Sequence, residues 1–76
     1  MSPHFPVMSG AEMMALLRRA GFAQVSQKGS HVKMRHVDGR TAIVPNHKEL
    51  AQGTIRSIVL RQAGLSEEGF WRLVNQ

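Results

Sequence analysis

The sequence predicts an α+β domain in which helices cover one face of a small antiparallel sheet, in the order helix, three strands, helix, short helix. Three observations carry that expectation. A capped apolar stripe of helical period opens the chain, an Asp-Gly pair joins two strand-like segments, and a second apolar helical stripe lies between Thr54 and Gly64. With 76 residues and no internal repeat or Gly/Ser-rich linker, the chain reads as one domain, residues 1–76. A chain of this size buries only about 60% of the surface its unfolded form exposes, so its core tolerates few buried polar groups.

Each element has its own signal. Ser9-Gly10-Ala11-Glu12 has the S-x-x-E form of a capping box, in which each side chain satisfies a backbone N–H at a helix start. Met13, Leu16, Leu17 and Ala20 then recur at helical spacing, and Gly21 is a natural stop, so the first helix spans about residues 10–20. Arg18 and Arg19 fall beside the stripe and read as a solvated face. Phe22–Gln27 reads as a short strand, Lys28-Gly29 as a turn, and Ser30–Val37 as a second strand. Asp38-Gly39 predicts a two-residue hairpin loop, and Arg40–Val44 is the return strand, ended by Pro45.

That loop would pair Val37 with Arg40, His36 with Thr41, Arg35 with Ala42 and Met34 with Ile43. Side chains alternate along a strand. Val32, Met34 and Ile43 would then share the core face, with His36 at its edge. His31, Lys33, Arg35 and Arg40 would share the open one. Beyond the loop Pro45–Leu50, Thr54 is the expected cap of a second helix with Ile55, Ile58 and Val59 as its stripe and Gly64 as its end. Ser66-Glu67-Glu68 opens a third, with two carboxylates where the helix dipole favours them. In it Gly69 weakens the interior, while Phe70, Trp71 and Val74 pack it on the core or on a partner.

Composition narrows the function. The chain has no cysteine, which excludes a disulfide framework and Cys-based zinc, and a reducing, cytoplasmic setting is expected. No apolar run approaches a membrane span, and the N-terminal MSPHFPVM lacks the pattern of a signal peptide. Ten Lys and Arg against five Asp and Glu give a net charge of +5. Such a balance favours a polyanionic partner, nucleic acid above all, although a merely soluble basic protein has it too.

The charges concentrate in Gly29-Ser30-His31-Val32-Lys33-Met34-Arg35, where a histidine, a lysine and an arginine occupy every second position. A histidine titrates near neutrality and moves protons; the two cations hold a phosphate and stabilise charge that builds on it. RNA carries an internal nucleophile, the 2′-OH, beside each phosphate, so a base at His31 would permit cleavage with no metal or cofactor. The plainer alternative is a surface histidine in a strand that binds nucleic acid without cutting it. A metal site is not expected: His31 and His36 point to opposite faces, and His4 and His47 have no recurring ligand spacing. His47 reads as a loop residue, with a second contribution to the substrate site as the alternative, and His36 as a strand-end residue. Arg56 and Arg61 are expected on a solvated helix face, Gly29 in a simple turn, and Trp71 as a core or interface anchor.

The runs GFAQVSQKGSH, IVPNH and KELAQGTIRSIVLRQAGLS resemble the HicA family of bacterial toxins, over about residues 6 to 74 and beginning with Phe5-Pro6-Val7. The G-S-H and G-T-I-R-S-I elements, in this order and at this distance, are the specific ones. The resemblance implies a double-stranded-RNA-binding-type fold and a ribonuclease that cuts messenger RNA and arrests translation, as the toxin of a type II pair. It implies that the functional histidine is His31 and that a HicB antitoxin covers it. Lys33 and Arg35 are then the expected phosphate clamp, with Lys28, Ser30 and Arg40 as further contacts to the RNA. The loop after His47 is more compact than in many relatives. The residues themselves leave two rivals, a non-catalytic RNA-binding module on the same sheet and, less well supported, a DNA-binding helical module marked only by Arg56 and Arg61.

Overall fold

The capping box at Ser9 is formed: its hydroxyl accepts the Glu12 N–H at 3.0 Å, and the Glu12 carboxylate accepts the Ser9 N–H at 2.8 Å. Helix α1 (Gly10–Arg19) comes next and buries Met13, Met14, Leu16 and Leu17. In this computed structural model residues 5–76 are described, and His4 lies outside them. Strands β1 (Phe22–Lys28), β2 (His31–His36) and β3 (Thr41–Pro45) form an antiparallel sheet in the order β1-β2-β3. Helix α2 (Gln52–Arg56) continues into a π-helical segment (Ser57–Gln62), and α3 (Glu67–Val74) ends the fold. The architecture is α+β, of the double-stranded-RNA-binding type, with the helices packed on one face of the sheet.

Strand β2 is the sheet's centre. Val32 and Met34 are buried between the helices and the sheet, together with Ala42 and Val44 of β3. Ile55, Ile58 and Val59 face them as the second apolar stripe predicts. Strand β1 is an edge in which only Phe22 is buried, and a bulge at Val25 interrupts its pairing between Gln24 and Ser26. Bulged, polar edges resist pairing with other chains. Lys28 belongs to this strand, opposite His31, so the turn is Gly29-Ser30 rather than Lys28-Gly29. Gly29 at φ +60° supplies the left-handed residue that so tight a turn needs.

The β2–β3 hairpin departs from the expected register. Pairing runs Arg35–Thr41, Met34–Ala42, Lys33–Ile43, Val32–Val44 and His31–Pro45, one residue away from the expected set. The loop has three residues, Val37-Asp38-Gly39: the His36 carbonyl accepts the Gly39 N–H at 2.9 Å, and the His36 N–H donates to the Arg40 carbonyl at 2.9 Å. The reason is local. A two-residue type I′ loop needs positive φ at both Asp38 and Gly39, whereas only Gly39, at +99°, adopts it. Asp38 instead accepts the Arg40 N–H at 3.0 Å, which stabilises a type I turn closed by a left-handed glycine. A one-residue slip exchanges the two faces of a strand. Ala42 and Val44 therefore point inward, and Ile43 and Arg40 are not where the two-residue loop would put them.

The helices differ from expectation in smaller ways. Helix α2 starts at Gln52 without a side-chain cap, so Thr54 lies inside it. The Gln52 amide holds the backbone of Phe5 from both sides, accepting its N–H at 3.0 Å and donating to its carbonyl at 2.8 Å. In the wide π turn the Ala63 N–H reaches the Ile58 carbonyl at 2.8 Å. Gln62 there accepts the Ile43 N–H at 2.7 Å, satisfying a donor on the outer edge of β3. Gly69 fits α3 well, because its N–H donates to the capping Ser66 hydroxyl, which would stand 3.2 Å from a Cβ. Phe70 is buried edge-on against Phe5, and Arg19, exposed as expected, also donates to the Leu73 carbonyl at 2.7 Å.

The observed register is testable by truncation. Val44→Ala should cost about 2 kcal/mol, as deletions of fully buried methyls do. Ile43→Ala, which removes more carbon from the half-buried face, should cost about 1 kcal/mol or less. Urea denaturation of the two variants measures both, and the reverse ranking would restore the two-residue loop.

Candidate functional site

With Val32 and Met34 turned inward, the alternation of β2 sends His31, Lys33 and Arg35 to the face that the helices leave bare. Along a strand such residues stand about 6.5 to 7 Å apart. Across the sheet Lys28 lies opposite His31, Ser26 opposite Lys33 and Ala23 opposite Arg35. On the other side Pro45, Ile43 and Thr41 are the partners of the same three residues. His31, Arg35 and Lys28 are exposed and Lys33 is half-buried, so the imidazole is open to solvent.

Four of the five carboxylates lie away from this face, Glu12 capping α1, Asp38 in the β2–β3 turn, and Glu67 and Glu68 opening α3; Glu49 lies in the loop after β3 and pairs with none of its cations. Among the described residues Lys28, Lys33 and Arg35 have no ion-pair partner. The arginines that are paired lie elsewhere, Arg40 with Asp38, Arg56 with Glu67 and Arg72 with Glu68. Three cations without ion-pair partners thus share a face with one exposed histidine, Lys28 across from it and Lys33 and Arg35 two and four residues along its strand. Such a surface has the charge and spacing to suit an anion with several negative groups.

Arg40 does not belong to it. The register slip carries its side chain to the opposite face, where its guanidinium lies over the Phe22 ring, 5.4 Å from the centroid. One Nη donates to the Ala63 carbonyl at the end of the π segment, and Nε donates to Asp38 at 2.8 Å. His36 lies on that side too, stacked edge-on against Phe22 with its ring over Gly21, as a strand-end residue. The Arg40 N–H holds the Asp38 carboxyl below the usual carboxylate range, against an opposing effect of burial, with the Arg40 guanidinium and the charge of His36 adding to the lowering.

Ser30 is placed at the margin, half-buried in the turn before His31. Its carbonyl accepts the Asn46 N–H at 2.7 Å, and its hydroxyl lies 3.3 Å from Nε2 of His47. The residue order alone leaves His47 in a loop; the fold brings it against the G-S-H element. The signal was present in the register, since Pro45 opposite His31 puts Pro-Asn-His directly across from Gly-Ser-His. Among the described residues no group of three or more His, Cys, Asp or Glu side chains is placed to hold a metal ion, and no helix is long and apolar enough to cross a membrane. Arg61 is exposed on the π segment, and Trp71 is 36% exposed on α3, in edge-to-face contact with Phe70.

The sequence profile of the HicA toxin of bacterial toxin–antitoxin systems matches residues 10–65, from the first residue of α1 to just before α3. The chain belongs to the HicA toxin family. The match takes in the whole basic face, the Ser30–His47 contact and the second apolar stripe. A search of curated proteins finds no significant match. As a HicA toxin the chain is one member of a toxin–antitoxin pair.

Because the Asp38 carboxyl is depressed in the folded protein, its contribution to stability is complete above the unfolded-state pKa and is lost as pH falls through the lower folded value. A carboxyl-detected NMR titration should place the Asp38 midpoint below that of a free aspartate, and Arg40→Ala, which removes the guanidinium and keeps the backbone N–H, should raise it part of the way. An unmoved midpoint in the variant would argue against the Arg40 clasp.

Proposed function

We propose that this HicA toxin is a metal-independent endoribonuclease that cuts messenger RNA and arrests translation, with His31 as its proton carrier. The observation that carries the reading is the exposed imidazole on one face with three cations, none of which pairs with a carboxylate among the described residues. The chemistry derives from the substrate. His31 removes the proton of a 2′-OH, and the oxygen attacks the adjacent phosphorus. Negative charge grows on the non-bridging oxygens, and Lys33 and Arg35 stabilise it, Arg35 with a planar fork suited to phosphate. Lys28 extends the contact along the RNA backbone from β1. Arg40 is left out of this set, since its guanidinium is committed to Asp38 and the Ala63 carbonyl.

The partner reading uses the same charges. We infer that the antitoxin is of the HicB type and covers His31 with acidic groups directed at Lys28, Lys33 and Arg35, because cations buried without partners are costly. The expected setting of the pair is the cytoplasm, where messenger RNA is translated.

Two experiments test these readings. Purified toxin incubated with messenger RNA in excess chelator should degrade it, and His31→Ala should lose that activity by at least about 100-fold while binding RNA with little change. Binding without any degradation by the unaltered protein would leave an RNA-binding module instead. Toxin–antitoxin affinity should fall steeply between low and high salt, and an affinity indifferent to ionic strength would count against a charge-led interface.

A further inference from the structure

The loop after β3 carries a second exposed histidine that is held at both ends. The His47 carbonyl accepts the Gly10 N–H at 2.8 Å, from the first residue of α1. That approach is close: a Cβ on Gly10 would collide with the Pro45 carbonyl and stand 2.9 Å from the Asn46 Cα. At the other end Nε2 of His47 lies 3.3 Å from the Ser30 hydroxyl. Ser30 is therefore bonded covalently to His31 and by its side chain to His47. An exposed loop histidine with no task would ordinarily move freely. This one has its backbone tied to a helix start and its ring tied to the residue beside the proposed catalytic base.

Cleavage of RNA needs two proton transfers, and the two histidines divide them naturally. We propose that His47 is the general acid of the reaction, oriented by Ser30, and that it protonates the 5′-oxygen leaving group while His31 acts on the 2′-OH. The inference rests on the nuclease reading and deepens it. In the step, the 2′-OH gives its proton to the neutral His31 ring and its oxygen bonds phosphorus. The bond from phosphorus to O5′ breaks, and the electron pair left on O5′ takes the proton of the His47 imidazolium. The products are a 2′,3′-cyclic phosphate and a 5′-hydroxyl, with one proton taken up and one released by the protein. With Nε2 committed to Ser30, Nδ1 is the nitrogen that carries the proton to the substrate. No carboxylate pairs with the His47 ring among the described residues.

The test is an RNA in which sulfur replaces the bridging 5′-oxygen at a cleaved bond. A thiolate leaves without protonation, so this substrate bypasses a general acid and still requires a base. His47→Ala should cut ordinary RNA about 10²- to 10⁴-fold more slowly and cut the sulfur-bridged RNA at nearly the unaltered rate. His31→Ala should fail on both. A His47→Ala protein that cuts ordinary RNA at the unaltered rate, or that is equally slow on both substrates, would overturn the assignment; the second result would make His47 a structural clasp. A thermal unfolding midpoint for the variant, measured alongside, shows whether such a clasp has been lost. If the unaltered protein cuts neither RNA, the nuclease reading falls and the acid with it, which is a different result from a defect confined to His47.

Discussion

The alternation of strand β2 governs the rest of the molecule. Val32 and Met34 are buried against the helices, and side chains of their size each contribute about 1.5 to 3 kcal/mol by leaving water. A strand offers its residues only two faces, so the same burial drives His31, Lys33 and Arg35 out the other side. The opposite arrangement is doubly unfavourable, since it would expose the apolar pair and bury three polar or charged groups without partners. In this small core, with no buried polar or charged residue among those described, nothing would receive them. The register of β2 is thereby held from both faces, and the basic surface is a consequence of how the core forms.

The same burial leaves an electrostatic imbalance that the fold does not correct. Four of the five carboxylates serve as a helix cap, a turn brace and partners of cations elsewhere, and the bare face keeps Lys28, Lys33 and Arg35 without an ion-pair partner. Solvent and salt screen their mutual repulsion over about 8 to 10 Å, which makes the arrangement tolerable in isolation. A polyanion or an acidic partner relieves it further. The proposed RNA contact and the proposed masking by the antitoxin would therefore draw on one physical resource, since a partner that neutralises these cations would compete with a phosphate backbone for them.

The far end of β3 is organised by contact. Because Gly10 has no Cβ, α1 begins directly against the Pro45 backbone, and its first free N–H finds the His47 carbonyl. The Asn46 N–H meets the Ser30 carbonyl across the sheet at the same corner. Three elements distant in the chain thus meet at one point, beside His31. A glycine at a helix start, a tight turn and a proline-terminated strand together place a loop side chain that no single element would position.

Much of this was legible from residue order. The capping box at Ser9, the stripes on α1 and α2, the alternation of β2 and the open position of His31 all rest on interactions within a few residues, or on a period that burial imposes. For the same reason the α+β order was legible too. The β2–β3 pairing was not, because Asp38-Gly39 permits two loops. The choice depended on Asp38 turning its carboxylate to the Arg40 N–H while Val44, rather than Ile43, entered the core. That choice removed Arg40 from the basic face and gave it to Phe22 and the Ala63 carbonyl. The position of His47 likewise belonged to the tertiary structure, since its partners Gly10 and Ser30 lie 37 and 17 residues earlier in the chain. Local chemistry determined which side chains would be available; only the packing of remote segments decided which of them meet.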